Sequence, residues 1–566
     1  MFDFFAPPPQ IPEAEISLAK NETENLQLAA RSNENIENLS ISAPAPKLKD
    51  NPDGNLSAPE IGVVGYVAND SVSNYLLFTH LKFYERCIPP QSRLEYYPDP
   101  IIPAKSISLA KGRTDSIFLT FKADEKTKSG VYEGAVELKS GDKTVASIPY
   151  RVTVRDFALP KASSLGAMFS YHGGASFGRW RGASIEPAMR NRFYNREDIQ
   201  KFMAQKRATI DSPNRIKYRE SPDGKLTPDF TDFDRFCELA LEEHKTPYLY
   251  IPLPIQMLNW ARPLNKVKSG GKTISPIEGE WPYKGKDLSK ISDEFAEYTQ
   301  TRVKLVFDHL RKKGWADRFI YFVSDEPYYW RAPIAAMLNR YCNIIRQAAP
   351  EIKIYSSTWG YTDTLKNAVD AWGLNMSAAN TPNEIAELNA QKNKLKIFTT
   401  DGNYCIDTPY NAQERIMSIY CYAGGFAAYE YWGVLWNTQN PFKWAMHKDR
   451  ISDSDPTNVR RNRYPNGDGY FAYDAEFIGK KEIYSSVRLE AVRDGQEDFE
   501  YYKLLENLAQ KRNDSEAFKL LEDVKSLAVY PNAGGRNSAE LLPNPDVVQI
   551  LRDKVAQAIE RLQKTN

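Results

Sequence analysis

The spacing of hydrophobic and polar positions changes rhythm once along the chain. From about residue 11 to 160, short runs of β-branched and aromatic residues at strand-like spacing, such as 131–138 (VYEGAVEL) and 146–154 (ASIPYRVTV), are separated by turn signals such as Ser140-Gly141-Asp142. Helical periodicity is almost absent there. The pattern predicts a β-sandwich over residues 1–160, ended by 156–160 (DFALP). From about residue 165, apolar runs alternate with amphipathic stretches. Candidate strands fall at 165–171, 208–211, 247–253, 318–324, 353–358, 371–376, 396–401 and 426–432. Helix-like stretches lie between most of them, for example 293–312, 333–347 and 383–391, and another follows at 486–509. Eight strand–helix repeats predict a (β/α)8 barrel over residues 161–566. A doubly wound sheet is the alternative, but no Gly-rich first turn supports it.

The length of 566 residues is too great for one hydrophobic core and agrees with two or three domains. Lys and Arg number 74 against 73 Asp and Glu, a net charge of +1. That balance gives no electrostatic reason to expect nucleic acid or an anionic membrane as partner; a neutral substrate fits it better. Cys87, Cys237, Cys342, Cys405 and Cys421 lack CxxC spacing, and the five histidines form neither HxH nor HExxH. Disulfide, zinc-ribbon and metal-hydrolase readings therefore have little support. No apolar run approaches the ~20 residues of a membrane span. The N-terminal MFDFFAPPPQIPE does not read as a signal peptide, which leaves a cytoplasmic protein or one whose export signal is missing from this sequence.

The sharpest chemical feature is 319–327 (FIYFVSDEP), an apolar run ending in two carboxylates and a proline. Active sites of barrels lie at the C-terminal ends of strands, where Asp325 and Glu326 would sit on the fourth strand. The competing reading is a helix start, with Ser324 or Asp325 as cap. Glycoside hydrolysis requires an acid for the leaving oxygen and a second group to stabilise the cationic sugar carbon. Two adjacent carboxylates on one strand end suit substrate assistance. There a 2-acetamido group attacks the anomeric carbon, Asp325 orients it, and Glu326 acts as acid and then base.

The chain resembles glycoside hydrolase family 123 and its relatives, which are β-N-acetylgalactosaminidases where characterised. Asp325-Glu326 resembles that family's catalytic pair. Further similar stretches are 16–28 (ISLAKNETENLQL), 150–160 (YRVTVRDFALP), 466–470 (NGDGY) and 486–500 (SVRLEAVRDGQEDFE). The resemblance implies an N-terminal β-sandwich joined to a catalytic (β/α)8 barrel, a terminal β-linked N-acetylhexosamine as substrate, and a retaining mechanism through an oxazolinium. No cofactor is implied, because protonation and neighbouring-group attack suffice. The glutamate in 429–433 (YEYWG) departs from the neutral residue expected in close relatives.

Other residues are ranked by position. All ten tryptophans lie between Trp180 and Trp444, inside the predicted barrel. Flat aromatic faces suit the apolar C–H faces of sugar rings. Glu430, Trp432 and Trp436 at the eighth strand are expected to bind hydroxyls or stack on an oligosaccharide or glycoconjugate substrate. Asp401 and Tyr404 after the seventh strand, Trp359 after the fifth, and Tyr171 and His172 after the first complete the candidate substrate-binding set. For each, core packing or a turn is the competing reading. Two other functions are carried forward: a glycosidase for a different sugar using Glu326 with Glu430, and a non-catalytic carbohydrate-binding barrel.

Overall fold

The computed structural model describes residues 14–51, 53–68, 96–171, 194–374, 386–388, 390–391, 394–400, 406, 412–436, 440–442, 446–450, 459–465, 467–480, 482–528 and 546–564. The N-terminal part is a sandwich of two sheets. One contains β1 (Ala14–Lys20), β3 (Ile36–Ser42), β4 (Lys47–Leu48), β7 (Ser106–Leu109), β9 (Gly130–Ser140) and β10 (Lys143–Ala158). The other is built from β2 (Glu22–Arg31), β5 (Glu60–Ala68), β6 (Tyr96–Pro103) and β8 (Thr114–Ala123). The two predicted segments at 131–138 and 146–154 form one antiparallel hairpin, with Ala146 opposite Leu138, and Gly141 supplies the positive φ of its turn. Alternate residues of β10 (Tyr150, Val152 and Val154) face inward and meet Ile117, Leu119 and Phe121 of β8 in the core between the sheets.

The barrel follows. Its eight parallel strands are β11 (Gly166–Phe169), β12 (Thr209–Ile210), β15 (Leu249–Tyr250), β19 (Phe319–Asp325), β20 (Lys353–Trp359), β21 (Ala371–Leu374), β22 (Leu395–Thr400) and β23 (Ala428–Tyr431). β11 pairs with β23, and the remaining gap between the second and third strands is bridged by the Tyr250 amide, which donates to the Asp211 carbonyl at 2.6 Å. The sheet is therefore nearly closed. Met168, Tyr250, Ile320, Tyr355, Ile397 and Ala428 fill one interior layer. Burial on both faces explains why these strands read in the sequence as continuous apolar runs rather than alternating ones. Each predicted barrel strand overlaps an observed one.

Short elements within the connections were not legible beforehand. β13 (Lys217–Glu220) with β14 (Leu226–Asp229) and β17 (Val267–Ser269) with β18 (Lys272–Ile274) are hairpins in the loops after the second and third strands. β16 (Leu258–Asn259) lies beside the end of β19.

The outer helices carry plain end signals. In the helix Asp293–Lys313, Ser292 Oγ accepts from the Phe295 amide, acids occupy the first turn, bases the last, and Gly314 ends it in the left-handed region. The helix Ala332–Ala348 matches its expected span within a residue at each end. The expected helix at 383–391 is helical at residues 386–388 and 390, while residues 383–385 and 389 lie outside the described residues. The long helix Val487–Arg512 packs under the barrel with an unusually charged buried face. Only one helix of the described part carries this many buried ions, and their partners come largely from elsewhere. Arg488 pairs with Asp99 of β6 at 2.9 Å, Asp498 with Arg415 at 2.6 Å, and Arg493 with Glu497 at 3.4 Å. No described helix is long and apolar enough to cross a membrane.

Candidate active site

β19 is buried along most of its length and emerges at the C-terminal face of the barrel at Asp325 and Glu326, both half-buried. The helix that follows does not begin until Ala332, with Arg331 at its N-cap position, so neither Ser324 nor Asp325 caps a helix. Glu326 adopts φ +41°, and its amide donates to the Ser357 carbonyl of β20 at 3.1 Å. A left-handed residue costs a non-glycine side chain energy and persists only where neighbours over-determine it. Here both sides of the turn are pinned. The Trp260 amide donates to the Asp325 carbonyl at 3.0 Å, and the Tyr328 amide donates to the Trp260 carbonyl at 3.1 Å.

The two carboxyl groups meet different surroundings. The Trp260 indole N–H donates to Glu326 Oε2 at 3.0 Å, at the rim, where Trp260 is 39% exposed. Asp325 instead acts electrostatically on Glu430, on the eighth strand. Beside Asp325, Asn259 of β16 has its Oδ1 buried with no hydrogen bond among the described residues.

Glu430 lies inside the barrel. Tyr250 Oη donates to Oε2 at 2.5 Å, while Tyr355 Oη and, at 3.2 Å, Thr399 Oγ1 donate to Oε1. Burial pushes its carboxyl up to about 7; the two tyrosine hydrogen bonds oppose the rise, and the charges of Asp211 and Asp325 add to it. Asp211, at the end of the second strand, accepts from Ser170 Oγ and, at 2.9 Å, from Ser212 Oγ. Three carboxyls from different strands thus converge on the upper barrel.

Trp432 ends the eighth strand and packs edge-on against Trp436, with ring centroids 4.8 Å apart. Its indole N–H donates to Asp468 Oδ1 at 3.1 Å, and Tyr431 Oη donates to the same oxygen at 3.1 Å. Gly467-Asp468-Gly469 therefore docks on the strand end. A Cβ on Gly433 would lie 2.1 Å from the Gly469 carbonyl oxygen, so the two backbones touch only because residue 433 is glycine. Tyr171 is turned into the core: its hydroxyl donates to the Tyr194 carbonyl at 3.0 Å, and the Arg196 guanidinium sits 5.4 Å from its ring centroid. Trp359 ends β20. His172, Asp401 and Tyr404 lie outside the described residues. No cluster of His, Cys, Asp and Glu suited to a metal occurs among the described residues.

Sequence reasoning did not single out Trp260, Tyr250, Tyr355, Asp211 or Asn259. Tyr250 and Tyr355 fall at inward positions of predicted strands, a signal that was available. Trp260 and Asn259 sit in a loop whose two-residue strand has no pattern of its own.

Residues 193–505 match the model of the catalytic domain of glycoside hydrolase 123. With carboxylates at the strand ends of a (β/α)8 barrel, this defines the protein as a glycoside hydrolase. More narrowly, the chain belongs to glycoside hydrolase family 123. It is similar in fold to a family 123 glycoside hydrolase from Clostridium perfringens described for glycolipid glycan hydrolysis, with a TM-score of 0.63 and 16% identity over 97% of this chain and 93% of that one. A family 39 glycoside hydrolase from the gut symbiont Bacteroides cellulosilyticus WH2 is more distant, at a TM-score of 0.33 and 8% identity over 81% of this chain and 80% of that one. No curated protein matches the sequence.

Proposed function

We propose that the protein releases a terminal β-linked N-acetylhexosamine, N-acetylgalactosamine above all, by retaining, substrate-assisted hydrolysis. The observation that carries this is the placement of adjacent carboxyls in unlike surroundings at one strand end. Asp325 lies within electrostatic reach of Glu430 and opposite Asn259 in the strand ladder, where a sugar's 2-acetamido group would sit; Glu326 stands at the rim beside Trp260, where a leaving group would depart.

In the first step Glu326 protonates the glycosidic oxygen as the acetamide oxygen attacks the anomeric carbon. The glycosidic bond breaks, an oxazolinium forms, and Asp325 accepts from the acetamide N–H and offsets the developing positive charge. In the second step Glu326, now ionised, takes a proton from water. The water attacks the anomeric carbon and reopens the ring with net retention. Burial favours a neutral Glu430 beside Asp325, since neighbouring carboxyls resist joint ionisation. Its burial and its three hydroxyl donors do not favour Glu430 as a nucleophile.

The test is hydrolysis of 4-nitrophenyl β-N-acetylgalactosaminide, β-N-acetylglucosaminide and β-galactoside by wild type and Glu326→Gln. Release confined to acetamido sugars, and lowered about 10²–10⁴-fold by the substitution, supports the proposal. Comparable release from the plain galactoside would overturn it.

A further inference from the structure

The rim around Glu326 carries a cationic, aromatic face that the two reaction steps do not use. Trp260 stands against the Glu326 carboxylate, and the Arg262 guanidinium lies 5.4 Å from its ring centroid. Just beyond the acid in the chain, Tyr328 stacks on Trp330 with centroids 4.7 Å apart and 23° between planes. The Arg331 guanidinium lies 5.2 Å from the Tyr328 ring centroid. Trp330 is 66% exposed, the largest value among the exposed bulky apolar side chains of the described residues. Both arginines are exposed, and neither has a carboxylate within ion-pairing distance among the described residues. Each instead lies within cation–π reach of an aromatic ring.

The surrounding loop adds charge of the same sign. Residues 262–290, in the connection after the third strand, contain Arg262 and six lysines but only Glu278, Glu280 and Asp287 as acids. In a chain of net charge +1 this is a local concentration, and it stands on the face where barrel connections border the site.

We propose that this face is a leaving-group subsite for an anionic sugar, one bearing a carboxylate or a sulfate, to which the released N-acetylhexosamine is attached. It rests on Glu326 being the acid, since only then does the departing sugar lie over Trp260 and Tyr328. The aromatic rings take its C–H face, and an arginine fork pairs with its anionic group.

The experiment compares three disaccharides in which N-acetylgalactosamine is β-1,4-linked to glucuronate, to 6-sulfoglucose or to glucose, with the 4-nitrophenyl glycoside alongside. At low ionic strength, kcat/KM for at least one anionic disaccharide should exceed that for the glucose form about tenfold or more. That ratio should fall towards one in about 0.5 M salt. It should also fall in Arg331→Gln or Arg262→Gln. Preference for the glucuronate alone would assign carboxylate recognition, and for the sulfate alone sulfate recognition. Equal kcat/KM for all three disaccharides, with the nitrophenyl glycoside cleaved, would overturn this subsite and leave the glycosidase intact. Failure on the nitrophenyl glycoside as well would instead remove the reaction on which the subsite rests.

Discussion

Tyr250 donates to the Glu430 carboxyl at 2.5 Å, which joins the third barrel strand to the eighth across the interior. Tyr355 and Thr399 donate to the other oxygen; burial favours the neutral carboxyl and outweighs the opposing pull of the tyrosine hydroxyls.

That environment fixes the sign of a pH effect. Glu430 titrates at about 7 in the folded protein against an ordinary 4.5, so it binds its proton more tightly when folded. The stabilisation is complete below about pH 4.5 and is lost as pH rises through about 7. Glu430→Gln, which stays neutral, should therefore gain relative to wild type between about pH 5 and 8.5, by up to about 3 kcal/mol. Urea unfolding of both proteins across that range measures it; a constant difference would show that Glu430 does not titrate there.

Trp260→Phe removes the indole donor to Glu326 Oε2 and keeps an aromatic ring. A hydrogen bond to a charged group contributes about 1.5–3 kcal/mol, so kcat for a 4-nitrophenyl substrate should fall roughly 10- to 100-fold. Trp260 is 39% exposed, so the melting temperature should move little. A large loss of stability with unchanged kcat would make the contact structural.

Gly469 combines φ +83° with a Cβ position 2.4 Å from the Trp432 ring. Gly469→Ala must displace that ring or the turn, at a cost of about 1–3 kcal/mol. Tryptophan fluorescence and kcat/KM should change together. An altered spectrum with full activity would place Trp432 outside the site.

Arg552, 2% exposed, pairs with Glu22, with Glu24 at 3.2 Å and with Asp498 at 3.1 Å. Arg552→Met leaves three buried acids facing one another and should cost about 3–5 kcal/mol. Adding Glu22→Gln should recover part of that loss, and equilibrium denaturation of the single and double variants decides it.

The barrel was legible because strands buried on both faces must be apolar throughout, and the acid pair because Asp325-Glu326 ends such a run abruptly. What surrounds the pair was not legible. The Tyr250–Glu430 contact exists only once the sheet closes, and the local sequence around either residue is an ordinary strand. Trp260 reaches Glu326 through a two-residue strand too short to leave a pattern. In the charged helix at 486–500, Arg493 and Glu497 pair at a spacing visible in the sequence, but Arg488 and Asp498 find their partners in β6 and in the helix Ala412–Gly424.

Those buried ions have a consequence for modularity. Glu22, Glu24 and Asp99 from the sandwich meet Arg552 and Arg488 from the C-terminal helices inside the protein, where water cannot replace a missing partner. A barrel expressed from residue 161 onward would present bare arginines along one flank and an isolated sandwich bare carboxylates. The sandwich therefore cannot be traded like an appended binding module: the two parts are obliged to fold, and to diverge in sequence, together.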